Sequence, residues 1–223
     1  MMRISKRKGT RLRSCEVGMI DFLRLAVGLI FCALLISCKS PRPANSQQVE
    51  VPPMLIPVSD GFDYPFGSEH YSRKDKHEAG WYDAQAFGVN NHLGEDWNRT
   101  TGGNTDCGLP VYAASNGTII LANEAGPGWG KVIIVRHKLT DGTLVETLYG
   151  HLQSFARTSG EVTRREQIGS IGDGGGAYQC HLHFEVRLSN CPMWGQPGPG
   201  YSSDRTGWID PSNFVDAHRP LGR

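Results

Sequence analysis

Short runs of β-branched and alternating residues dominate the second half of the chain. Residues 110–115 (PVYAAS), 118–122, 131–137, 144–148 and 181–188 each read as a strand. Turn signals separate them: Asn116-Gly117, Gly126-Pro127-Gly128 and Asp141-Gly142. Asp141-Gly142 lies between VIIVRHKL and TLVETLYG and predicts a hairpin whose two-residue turn has positive φ at its centre. The pattern therefore predicts a mainly β domain of antiparallel sheets packed face to face. Residues 62–106 lack a sustained period and are expected to form long loops. The tail, 189–223, is expected to wrap the domain through Trp208-Ile209-Asp210-Pro211.

A different pattern opens the chain. Residues 25–36 (LAVGLIFCALLI) carry no charge and follow a basic segment. This run is shorter than the roughly 20 residues that span a bilayer, but it suits a secretory signal, whether the start is Met1 or Met19. Leu35-Ile36-Ser37-Cys38 resembles the lipobox of bacterial lipoproteins, in which the cysteine becomes the lipidated first residue. By that resemblance 1–37 is a signal peptide, Cys38 anchors the chain to a lipid bilayer, and Lys39 points to the outer membrane, on its periplasmic face. Residues 38–60, rich in Pro, Ser and Gln, read as a tether, with a domain over 61–223.

Charge narrows the partners. The net charge is +1, yet residues 1–37 hold seven Lys/Arg against Glu16 and Asp21, which leaves sixteen basic and twenty acidic groups, a net −4, in the remainder. That balance argues against a nucleic-acid partner.

Three clusters carry candidate chemistry: Asn91-His92-Leu93-Gly94-Glu95-Asp96-Trp97, then Tyr149-Gly150-His151-Leu152, then Cys180-His181-Leu182-His183-Phe184-Glu185. Period-two geometry puts His181 and His183 on one face of a strand, about 7 Å apart, with Leu182 and Phe184 on the other. Zinc takes imidazole nitrogen and carboxylate oxygen, and a catalytic site needs three protein ligands with one position open. His92 and Asp96 could supply two, from a loop rather than one helical face, because Gly94 and Asn90-Asn91 disfavour a helix. No HExxH motif is present.

Taken in this order, HxxxD, a GH dipeptide after a strand, and HLHFE after the turn Gly172-Asp173-Gly174-Gly175-Gly176 resemble the lysostaphin-type (LytM-type) zinc endopeptidases, over about residues 61–188. The stretch GLPVYAASNGTII is similar to the strand that follows their first motif. The resemblance implies a LytM-like β fold and hydrolysis of peptide cross-links in bacterial peptidoglycan. It implies one zinc ion on His92, Asp96 and His183, with His151 and His181 beside the open position. Zinc would activate a water and polarise the scissile carbonyl, while one of His151 and His181 serves as base and the other stabilises the oxyanion. Which does which stays open, as does the cross-link cut. Glu185 falls on the same strand face as His183, either orienting an imidazole or meeting solvent or a nearby Arg.

Other residues carry less. His70, His77, His137 and His218 read as solvated or packed side chains, and Trp97, Trp129 and Trp194 as core packing or a substrate groove. Beyond Cys15, Cys32 and Cys38, three cysteines remain. An extended 181–188 would hold Cys180 and Cys191 about 30 Å apart, so a pair involving Cys107 competes with theirs. Two other readings stand: a non-catalytic relative that activates a cell-wall amidase, and a protease of Gly-rich proteins. A protein regulator of the site is a further expected partner.

Overall fold

The computed structural model describes residues 54–69, 71–73 and 80–220. The signal segment, Cys38, His70 and His77 lie outside them. The described chain is mainly β, as the pattern predicts. Its strands are β1 Trp81–Gln85, β2 Glu95–Arg99, β3 Pro110–Tyr112, β4 Gly117–Glu124, β5 Lys131–Lys138, β6 Leu144–Phe155, β7 Gly160–Val162, β8 Gln167–Ile171, β9 Leu182–Leu188 and β10 Trp208–Ile209; α1 Pro211–Ala217 follows. All named pairings are antiparallel, in the order β1-β2-β9-β6-β5-β4-β7, with β10 on β9 and the β3–β8 pair joined to β6.

β6 is the longest strand because it serves two neighbourhoods. Its first half pairs with β5 and β9, and its end, from Leu152, pairs with β8. The change falls at residues 150–152, where β6 carries an extra residue against β5: Tyr149 faces Ile133 but Leu152 faces Lys131. Bulges of this kind bend a strand and re-aim a side chain, and here the side chain is His151.

β9 shows why the alternation HLHFEVRL makes a strand. Leu182, Phe184 and Val186 enter the main apolar core. His183, Glu185 and Arg187 take the opposite face, and they are buried too. The tail covers them: the carbonyls of Met193, Gln196 and Pro197 accept from Arg187 and Trp208 Nε1 donates to Glu185, while β10 pairs with β9 and α1 packs Phe214 and Val215 into the main core. Asp210 caps α1 by accepting from Asn213 N, with Pro211 in the first turn.

Two expectations need correction. Residues 62–106 are not only loops: they contain β1 and β2, and Phe62, Tyr64, Phe66 and Tyr71 fill the core. Phe66 packs against Trp81 and Trp97 with ring centroids 4.7 Å away in each case. Irregular backbone can supply such rings without any period for a sequence reading to detect. The β5–β6 hairpin also differs from the two-residue turn. Gly142 N donates to Leu139 O and Leu139 N to Thr143 O, so Thr140-Asp141 form the turn and only Gly142 (φ 89°) takes the left-handed position after it. Within the segment read as tether, Leu55 O accepts from Thr118 Oγ1, Val58 bridges Lys138, and Ser59 Oγ lies 2.6 Å from Ser115 Oγ.

His137 is a packed histidine. Its Nδ1 lies 2.8 Å from Asn116 O and its Nε2 2.8 Å from Thr147 Oγ1. Burial disfavours the imidazolium and pushes its pKa down to about 4. A group depressed on folding favours the fold above its unfolded value, about 6.5, and loses that contribution as pH falls through about 4. We expect about 3 kcal/mol of stability to disappear over that window. Urea unfolding at pH 7 and pH 4 checks this: His137→Gln should be less sensitive to that pH change, and an equal loss in both chains would refute the assignment.

Candidate metal centre

The site is built where three strands meet in register. Asp96 on β2 stands opposite His183 on β9, and His183 stands opposite Gly150 on β6. HxxxD is therefore a loop residue followed by a strand residue, and Asp96 does not sit on a loop. His92 follows a 3-10 turn, Val89–Asn91, in which Asn90 (φ 53°) and Asn91 (φ 66°) are left-handed. Gly94 lets this loop close onto β9: a Cβ there would sit 2.6 Å from Phe184 O and 2.9 Å from His183 Cε1.

This folding brings all five predicted residues together. His92 Nε2 lies 3.0 Å from His183 Nδ1 and 3.3 Å from Asp96 Oδ1, and His183 Nδ1 lies 2.9 Å from Asp96 Oδ1. Each of these two imidazoles is held from behind. His92 Nδ1 donates to Gln85 O at 3.1 Å, and His183 Nε2 donates to Glu185 Oε1 at 2.9 Å. Such contacts fix ring orientation and raise ligand basicity. The donor set of two imidazole nitrogens and one carboxylate oxygen suits zinc with a position left open.

Glu185 is buried and does not meet solvent. Its Oε2 accepts from Arg187 Nε at 2.6 Å and from Trp208 Nε1 at 2.8 Å. Arg187, fully buried, also donates to the carbonyls of Met193, Gln196 and Pro197. Sequence reasoning allowed Glu185 a nearby Arg but did not single out Arg187, although it continues the His183, Glu185 period on the same strand face. It missed Gln85 for another reason: a backbone carbonyl leaves no signal in residue type.

His151 and His181 flank the triad. His151 sits on the β6 bulge with φ 61°, a left-handed position unusual for its type. Trp129 O accepts its backbone N–H at 2.9 Å and lies 3.3 Å from its Nδ1. His181 bridges Gly172 just before β9, and its Nδ1 lies 2.9 Å from Gln179 O. Its Nε2 is 3.6 Å from Asp96 Oδ1, and the two imidazole centroids are 4.6 Å apart.

Electrostatics sort these groups. Burial disfavours the His183 imidazolium, but its hydrogen bonds to the Asp96 and Glu185 carboxylates prevail and raise its pKa to about 9. Burial also opposes charge on Asp96, and the imidazoles of His183 and His92 outweigh it, holding the carboxyl far below the usual range. Glu185 is lowered likewise: Arg187 and His183 overcome its burial. His151 goes the other way, down to about 3, through burial and then the neighbouring His183 and His181. A metal ligand must be a neutral imidazole, so a metal bound here would displace the His183 proton.

The cleft above this floor has a volume of about 730 Å³. Trp129 lines it, whereas Trp97 is core and Trp194 lies under the Arg136 guanidinium. The segment before His181 is cross-linked: Cys180 pairs with Cys107, with Cα atoms 5.2 Å apart, and Cys191 is a buried free thiol.

Comparison with known proteins gives the chain's family. The DD-carboxypeptidase/endopeptidase Mpg of Neisseria meningitidis is 38% identical over 86 residues, which cover 39% of this chain and 19% of that protein's own length. The lipoprotein NlpD of Yersinia enterocolitica is 33% identical over 81 residues, 36% of this chain and 78% of that one. The solved structure of the antimicrobial peptidase lysostaphin from Staphylococcus simulans aligns at a TM-score of 0.47 and 22% identity, covering 65% of this chain and 53% of that one. Residues 90–193, which hold His92, Asp96, His151, His181 and His183, match Peptidase family M23, and the chain belongs to that family.

Proposed function

We propose that the protein is a zinc-dependent endopeptidase that hydrolyses peptide cross-links of peptidoglycan. The observation that carries this reading is the convergence of His92, Asp96 and His183 on the floor of an open cleft, with His151 and His181 beside them. Zinc held by the first three would lower the pKa of a water and polarise the scissile carbonyl.

The chain's own groups handle the protons. The Nδ1 atoms of His151 and His181 face the carbonyls of Trp129 and Gln179, which fixes the proton on Nδ1 and turns Nε2 away from those carbonyls. A neutral imidazole so held accepts a proton at Nε2, and only its imidazolium form donates there. His151, kept neutral by burial, suits the acceptor; His181, the more open of the two, suits the donor to the oxyanion.

Relatives that carry peptidase and lipoprotein names support a cell-envelope setting. We infer that Cys38, once lipidated, tethers the domain there, facing peptidoglycan across the periplasm. An amidase activator without chemistry of its own would have no use for five convergent groups. Purified zinc-loaded protein should release cross-link fragments from isolated sacculi, identified by mass spectrometry. Intact sacculi after incubation with a stoichiometrically loaded chain would overturn the enzymatic reading.

A further inference from the structure

The tail does more than cover β9, because residues 194–201, beyond the end of the family match at 193, lead to the cleft and line it with Pro199, Gly200 and Tyr201. This stretch, WGQPGPGY, alternates prolines with left-handed glycines (Gly195 φ 75°, Gly198 φ 84°, Gly200 φ 74°), a shape few other residues could follow. It is fastened along its length. Gly195 N donates to Glu146 Oε2, Arg187 holds the carbonyls of Gln196 and Pro197, Trp129 Nε1 donates to Gly198 O at 3.0 Å, and Leu93 N donates to Gly200 O at 2.9 Å.

The ring delivered by this strap is Tyr201. Its backbone bridges His92, and its ring lies over the His92 ring with centroids 4.9 Å apart and planes tilted by 31°. It is nevertheless 49% exposed and lines the cleft. At the other end Tyr178, 50% exposed, stands against His151 at 5.1 Å and His181 at 5.7 Å. Two half-open aromatic surfaces thus bracket the row of imidazoles. Among the described residues lining the cleft there is no Lys or Arg, and Asp96 is the sole carboxylate; side-chain amides come from Gln85, Asn98 and Gln179. Rings and amides without a counter-charge suit an extended, uncharged peptide, the amides meeting its backbone and the rings covering small side chains.

We propose that Tyr201 is a substrate-contacting, specificity-determining residue, which packs an uncharged peptide stretch on the His92 side of the scissile bond while Tyr178 packs the stretch on the other side. This rests on the peptidase reading above. The test uses the zinc-loaded full chain, Tyr201→Ala, Tyr201→Phe and Tyr178→Ala, with soluble cross-linked muropeptides. Three quantities are read: zinc content, binding by Trp fluorescence, and the separate values of kcat and KM. Tyr201→Ala should keep its zinc, weaken binding and raise KM about tenfold, and change kcat less than about threefold. Tyr201→Phe should bind within about twofold of the parent, because it keeps the ring and loses only the long, exposed hydroxyl contact to Gln85 Oε1 at 3.4 Å. Unchanged binding in Tyr201→Ala overturns the proposal, as does loss of zinc in that variant, which would make Tyr201 a support for His92. If the parent binds muropeptides without cutting them, the peptidase reading fails while the binding comparison still decides the role of Tyr201. If the loaded parent binds no muropeptide, the proposal falls.

Discussion

Asp96→Ala and His183→Ala are expected to purify without zinc and to lose hydrolysis of peptidoglycan altogether, whereas His151→Ala and His181→Ala should keep stoichiometric zinc and lose about 10²–10⁴-fold in turnover. The division follows from geometry. Asp96 Oδ1 lies within 3.3 Å of both His92 Nε2 and His183 Nδ1, so removing it leaves two imidazoles with no anion to neutralise a dication. Removing His183 deletes a donor and also leaves Glu185 buried without its imidazole partner. His151 and His181 instead have their Nδ1 atoms facing carbonyls outside the triad, so their loss leaves the ligands and their supports in place. Metal analysis of each purified variant, paired with rates of muropeptide release, checks both halves. Equal loss of metal from all four would remove the distinction between ligands and proton carriers.

Arg187→Met is expected to cost about 3–5 kcal/mol of stability and to weaken zinc binding about 10–100-fold. The guanidinium is fully buried and joins Glu185 to three carbonyls of the 193–197 loop. Methionine matches its bulk but removes the cation paired with buried Glu185 and takes the Arg187 donor from the Gln196 and Pro197 carbonyls. Glu185 would then pull differently on His183, which carries the defect to the metal centre. Arg187→Lys should recover little, since an ammonium cannot reproduce the planar fork. Urea midpoints and zinc competition against a chelating dye measure the two effects, and an unchanged midpoint would show that the loop satisfies itself by other means.

Much of this was legible in residue order. HLHFEVRL declares a strand through its alternation, and the three motifs name the five site residues. What remained hidden has physical reasons. EDWNR lacks alternation, and it is a strand because β9 offers a partner in register for Asp96. The aromatic residues between 62 and 71 have no helical or strand period, yet their rings meet in the core. The choice of Cys107 over Cys191 as partner of Cys180 depends on how distant segments come together, which spacing along the chain does not encode. The burial of Glu185 and Arg187 required knowing that the tail lies across them.

At residue 151 the needs of the backbone and of the chemistry diverge. A left-handed φ within a strand is a place where glycine sits at no steric cost and any side chain adds strain. Glycine, however, cannot carry a proton. Selection for a sturdier chain and selection for a faster one would therefore pull this codon in opposite directions, and firmness gained elsewhere must compensate for keeping an imidazole there.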